Sequence, residues 1–313
     1  MNRDQNSQAI QPPDRDHHSC EKTVLSFIDH REDHLLDLDR ELDPEDYSRR
    51  AHTLAGIIPC LLERGRCLEA VSIVERLVEH RTEDSDRAII ARETLAWIVK
   101  GDTLNTARQA FARVSGETLP HLGSFFVMMG EWSVPHLLRI ISESDDRRRS
   151  RDAAETLFEI GPKGGAALLY EMERGHLPQD ILGTVIRILG ESSEDRLIPA
   201  AVIRVVGEKL HSEDNIIRQE AVQALSRLMM ASPEAGEKAS PLLLGLAERE
   251  YPGGRLEKLA GGRSLPTPAL VSLAEAVGRI GGEGARDILR RMTRDREEAV
   301  SRKAAEALKK MAG

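Results

Sequence analysis

Residues 130–161 read GEWSVPHLLRIISESDDRRRSRDAAETLFEIG. Val134, Leu137, Leu138 and Ile141 fall three and four residues apart, the spacing of one apolar stripe on a helix. The charged turn Asp145-Asp146-Arg147 follows that stripe. Ala153, Ala154, Leu157 and Ile160 then form a second stripe, which Gly161-Pro162 stops. The stretch therefore predicts two antiparallel helices joined by a short turn.

The same pattern returns downstream, so the chain reads as a repeat protein. Second helices are expected to end at Ile160-Gly161, Leu189-Gly190, Met229-Met230, Ile280-Gly281 and Met311-Ala312. Three of them align without gaps as RSRDAAETL (149–157), IRQEAVQAL (217–225) and VSRKAAEAL (300–308). Ala153, Ala221 and Ala304 share one column, and Leu157, Leu225 and Leu308 share another. Alanine in the first column lets two helices approach closely, and leucine fills the space between layers.

This Ala-Ala-x-Ala-Leu helix after an Asp-containing turn resembles the HEAT repeat, in the short form of bacterial HEAT-like proteins, over residues 130–313. The resemblance implies an all-α, right-handed α-solenoid of stacked antiparallel hairpins, with second helices on the concave side. It also implies a ladder of turn Asp and helix Arg between repeats, which Asp214 and Arg218 match best. In the other two copies that Arg column holds Ser150 and Ser301. Between Glu250 and Pro268 the pattern lapses in two Gly-Gly pairs and three prolines, which predicts an irregular insertion between two helices of one repeat.

Upstream, residues 1–20 are polar, contain Pro12-Pro13 and read as a disordered tail. Helical periodicity starts at Thr23 and is expected to continue as one helix to about Leu42. Residues 21–129 then read as N-terminal hairpins, with Pro59 expected to kink one helix and glycines breaking others at Gly65 and Gly101. The segment LLERGRCLEAVSIVERL resembles a tetratricopeptide hairpin, although that family's Tyr and Pro do not recur. Phe125, Phe126, Val127, Met128 and Met129 form the densest apolar patch and are expected to be a buried seam before the repeats, rather than a ligand pocket.

Composition limits the function classes. Among 313 residues, 31% are charged and only 3% aromatic, which suits helices stacked through small aliphatic side chains. Net charge is −8, so nucleic acid and anionic membranes are not expected partners. No run approaches the roughly 18 apolar residues of a membrane span. Three cysteines, Cys20, Cys60 and Cys67, make no disulfide framework, and the N-terminal stretch lacks the apolar core of a signal peptide. The expected location is the cytoplasm.

Candidate chemistry is sparse. His30 and His34 stand one helical turn apart, a spacing that can grip a metal, but the sequence matches neither HExxH nor HxxEH and offers no third ligand. Asp16-His17-His18 with Cys20 meets the entropic objection of a floppy tail. Gly161-Pro162-Lys163-Gly164-Gly165 follows a helix and lacks the phosphate-loop pattern, so it reads as helix punctuation. No catalytic residue, metal site or cofactor is assigned, and no small-molecule substrate is expected.

The expected function is a non-catalytic scaffold that binds a protein partner along the second helices. Polar positions off their apolar stripes supply the candidate contacts Arg151, Glu155, Arg187, Gln219, Gln223, Arg227, Arg279 and Lys303. The C-terminal hairpin is basic, with +4 on its charged side chains, which an acidic protein partner would suit. The HEAT resemblance also admits enzymes: bilin-attaching lyases, or DNA glycosylases with a basic, aromatic groove. Trp97 and Trp132 lie outside the second helices that would line such a groove. A regulatory module docking on a signalling complex is a further alternative.

Overall fold

The computed structural model describes residues 17–83, 85–191, 199–253 and 264–312. Every regular element among them is a helix. The chain divides into two compact units, residues 1–129 and 130–313.

In the first unit the helices are α1 (His17–Asp29), α2 (Arg31–Arg40), α3 (Pro44–Glu63), α4 (Cys67–His80), α5 (Asp86–Lys100), α6 (Thr103–Phe111) and α7 (Thr118–Met129). The single helix expected over 23–42 is instead two. Backbone at His30 leaves helical geometry (φ −131°, ψ 37°), and Glu32 and Asp33 begin α2, where carboxylates favour a helix N-terminus. Helix α1 also starts inside the stretch assigned to the tail; residues 1–16, and the tail expected there, lie outside the described residues.

Asp43 caps α3 by accepting from the Glu45 and Asp46 N–H groups, with Pro44 just inside the start. Helix α3 runs on through Pro59 and packs against α4, α5 and α6. The apolar patch of α7 is core within this unit: Phe125, Phe126 and Met129 are buried, and Phe126 meets the Phe111 ring of α6 at 6.0 Å.

The second unit opens with a 3-10 turn, Gly130–Ser133, and then builds five hairpins among its described residues. They are α8 (Val134–Glu143) with α9 (Arg147–Glu159), α10 (Pro162–Arg174) with α11 (Gln179–Gly190), α12 (Pro199–Glu208) with α13 (Asn215–Ala231), α14 (Pro233–Glu250) with α15 (Thr267–Ile280), and α16 (Gly282–Met292) with α17 (Glu298–Ala312). Helices α9, α11, α13, α15 and α17 pack each on the next as one layer. Helices α8, α10, α12, α14 and α16 form the second layer, so this unit is an α-solenoid.

Local chemistry accounts for the breaks. Gly161 holds φ at +101°, open to glycine alone, and Pro162 starts α10 at once. Asp146 and Asp214 cap α9 and α13 by accepting the N–H of Arg148 and of Ile216. Asp214 caps its own helix, while the Arg218 guanidinium crosses to the next hairpin, reaching the Ser264 carbonyl at 2.6 Å. One cross-repeat pair between α9 and α11 is Arg147 with Asp180, at 3.0 Å.

The insertion's core, residues 254–263, lies outside the described residues. Its two ends are drawn together by Glu250, which accepts from Ser264 N (2.8 Å) and Leu265 N (3.2 Å).

Both aligned columns do what their residue types require. Ala153, Ala221 and Ala304 are fully buried, as are Leu157 and Leu225. Leu308, on the last described helix, is only half-buried. Leu225→Ala should therefore cost about 2–5 kcal/mol in urea unfolding and Leu308→Ala distinctly less. Equal losses would contradict this account of the column.

Candidate functional site

The polar face of the α9–α17 layer consists of positions just off the buried Ala and Leu columns. Helix approach within this layer is close. A Cβ added to Gly190 would lie 2.5 Å from Ala224 Cβ, and one added to Gly278 would lie 2.6 Å from Ala307 Cβ. Long side chains are excluded there, so the charged residues project beside the contact and reach across to the neighbouring helix.

Arg187 of α11 pairs back to Glu155 of α9 at 3.0 Å and along its own helix to Glu191 at 3.7 Å. Arg227 of α13 reaches the Arg187 carbonyl at 3.5 Å, while its Nε is buried without a partner. Glu220, half-buried beside these groups, has one carboxylate oxygen buried and unbonded. Burial raises its pKa, against the pull of Arg227 and Arg187 and with the push of Glu191.

Farther along, Gln223, Ser226, Arg227 and Met230 of α13 face Ser272, Glu275, Ala276 and Arg279 of α15 across a cleft of about 390 Å³. A second cleft of about 190 Å³ follows, lined by Glu275, Gly278 and Arg279 of α15 and by Lys303, Glu306, Ala307, Lys310 and Met311 of α17. Glu275 and Arg279 belong to both, so the two clefts adjoin across α15. Glu275 accepts from Arg279 at 2.6 Å and lies 3.1 Å from Lys303 Nζ. The Lys303 hydrogen bond leads in lowering its pKa, partial burial opposes it, and the charges of Lys303, Arg279 and Lys310 assist. The Arg279 guanidinium also touches the Met230 sulfur.

Of the eight residues chosen from sequence, the structure therefore joins Glu155 with Arg187 and Arg187 with Arg227. It places Gln223, Arg227, Arg279 and Lys303 on the adjoining clefts. Arg151 is exposed on α9 and Gln219 half-buried on α13, and neither lines a cleft. Sequence reading missed Ser226, Met230 and Ser272. The small residues could be told apart from ordinary surface only once α13 and α15 stood face to face.

It also missed a buried polar network in the first unit. His80 Nε2 lies 3.1 Å from Asp39 Oδ1, and its Nδ1 lies 2.9 Å from the Tyr47 hydroxyl. With Nε2 facing the carboxylate, Nδ1 accepts the Tyr47 O–H. Arg87 stands 5.8 Å over the Tyr47 ring, is held bidentately by Glu83 and donates to the Asp39 carbonyl at 2.6 Å. Arg76 completes the surroundings, 3.4 Å from Asp39. Tyr47 and His80 are 0% and 4% exposed and the Asp39 side chain 28%, and the set ties α2, α3 and α4 together. Burial pushes the Tyr47 hydroxyl up to about 12.

The proposed metal pairs find little support in geometry. His30 is the non-helical residue between α1 and α2, and His34 turns its Nε2 to Ser26 Oγ at 3.1 Å. Among the described residues no cluster of three metal-ligating side chains forms. The Asp16 to Cys20 side chains lie outside the described residues. Cys67 is buried, and burial pushes its thiol up to about 11, which leaves it unreactive. No described helix is long and apolar enough to cross a membrane.

No family model matches the chain, and no curated protein matches it. Solved structures similar to it include a designed armadillo repeat protein in complex with the peptide (KR)4, with 13% identity over 81% of this chain and 99% of that one, at a TM-score of 0.40. An engineered protein has 17% identity over 89% of this chain and 77% of that one, at 0.39. The structure of the Pds5–Scc1 complex has 11% identity over 93% of this chain and 53% of that one, at 0.37. These likenesses are weak, and the functional reading rests on this chain's own residues.

His80 yields a sign-defined pH effect. Burial, with the Arg87 charge, lowers its pKa below the ordinary 6.5, against Glu83 and Asp39. The folded state thus binds this proton less readily than the unfolded chain, so its stabilising contribution is full above pH 6.5 and is lost as pH falls below it. One such proton contributes a slope of up to about 1.4 kcal/mol per pH unit. Urea unfolding of His80→Phe should show a flatter loss of stability on acidification than the parent. An identical slope would show that His80 does not titrate against folding.

Proposed function

We propose that the second unit is a HEAT-like array and that the chain is a non-catalytic scaffold. In this reading it works in the cytoplasm and captures a protein partner on the α9–α17 face, as the concave side of the array. The supporting observation is that Glu275 and Arg279 line both clefts, which sets polar and charged side chains around small apolar floors across three successive helices. Arg, Gln, Ser and Lys side chains along it can donate many modest hydrogen bonds, the chemistry of a polar, reversible interface. Arg151, Glu155, Arg187 and Gln219 extend the surface toward α9.

Enzymatic readings have less in their favour. The lining residues of both clefts include no aromatic ring, histidine or cysteine. A glycosylase groove needs rings on which a flipped base can stack. A regulatory module docking on a signalling complex would use the same surface and the same physics.

The test is partner capture by the tagged protein, read by mass spectrometry, for the parent and for the double variant Arg187→Glu with Arg227→Glu. The double variant should lose its specific partner while keeping its helicity and melting temperature. Unchanged capture would remove this face from the account.

A further inference from the structure

We infer that the part of this face from Gln223 to Met311 takes an extended acidic segment of the partner protein, with one apolar side chain seated beside Met230. The inference rests on the scaffold reading above and adds the chemistry of the occupant.

Charge carries the first part. The chain bears −8 overall, yet the two clefts are lined by four cations, Arg227, Arg279, Lys303 and Lys310, against two carboxylates, Glu275 and Glu306. Glu275 is shared between Arg279 and Lys303, so both cations keep unused N–H donors. Arg227 has one long bond to a carbonyl and lies beside Glu220, with its Nε buried, so Arg279, Lys303 and Lys310 carry most of the open charge. Toward α9 the balance differs, because Arg187 is already held by Glu155 and Glu191. The unspent positive charge therefore gathers at the α13–α17 end, where guanidinium forks suit carboxylates.

Shape carries the second part. Ser226, Ser272 and Ala276 put only small side chains into the larger cleft, which leaves about 390 Å³ between α13 and α15. Met230, 55% exposed at its edge, offers a polarisable apolar surface to an incoming side chain. Three packed helices span about 20 Å at the usual 8–10 Å spacing, which an extended segment of about six residues covers. A nucleic acid fits less well, because no ring lines either cleft for base stacking.

The probe is a fluorescein-labelled octapeptide of alternating glutamate and leucine, titrated by anisotropy against the full chain. An alternating lysine–leucine peptide, a glutamate–serine peptide and a single-stranded oligonucleotide serve as comparisons. The glutamate–leucine peptide should bind most tightly, and added salt should weaken it. Arg227→Glu and Arg279→Glu should each reduce its affinity by about tenfold or more, Arg279→Gln by less, and Lys238→Glu on α14 not at all. Circular dichroism and melting identify any variant that fails to fold, and the salt dependence of the parent stands without variants.

Equal or tighter binding of the lysine–leucine peptide or the oligonucleotide would overturn the inference. So would glutamate–leucine binding that ignores the Arg227 and Arg279 reversals. If no acidic peptide binds while the Arg187 and Arg227 double reversal still abolishes partner capture, the acidic occupant is wrong and the scaffold reading survives. If capture also persists in that double variant, both fall.

Discussion

Near-contact of helix backbones at Gly190 and Gly278 sets where every charged group on the repeat unit can stand. With a Cβ position 2.5 Å from Ala224 and 2.6 Å from Ala307, neither glycine tolerates even a methyl group without movement. Fully buried Ala153, Ala221 and Ala304 keep the same seam narrow elsewhere in the layer. Helices held this close leave no room for large side chains between them, so leucines fill the inter-layer space and polar residues are pushed to the open face. The trough is thus a consequence of the packing: its rims are the long side chains displaced from the seam, and its floor is the small residues left there.

Ion pairs on that face contribute little to stability, since Arg187 and Glu155 are 38% and 43% exposed and pairs of this kind are worth about 0–1 kcal/mol. Their effect is on recognition. Pairs that close within the layer cancel their own fields, as at Glu155, Arg187 and Glu191, whereas a carboxylate shared by two cations leaves positive potential exposed, as at Glu275. One repeated architecture can in this way present a neutral stretch and a cationic stretch side by side. The first unit spends its polar groups differently: buried Tyr47 and His80 join half-buried Asp39 and fasten three helices.

Hairpins, their ends and the buried columns were legible in the sequence, because Ala153, Ala221 and Ala304 recur in aligned second helices after acidic turns. Local signals of that kind need no knowledge of the rest of the fold. The break at His30 was not legible, since no glycine or proline marks it and only the acidic start of α2 hints at it. Asp214 and Arg218 match the family's ladder pattern; in the fold the carboxylate caps its own helix and the guanidinium crosses to the Ser264 carbonyl. Four of the eight chosen surface residues came together on one trough, but the trough itself depends on how Ser226, Ser272 and Ala276 meet across two helices. The His80 network joins residues far apart in sequence, which periodicity cannot connect.

Site-specific photo-crosslinking addresses the central claim most directly, by placing a benzophenone side chain at one exposed or half-buried position at a time in the full chain. Crosslinks from Gln223, Ser272 and Glu306 on the trough should yield a covalent adduct with the partner, and those from Arg204 and Glu237 on the opposite layer should not. Adducts arising from Arg204 or Glu237, with none from the trough, would contradict the account.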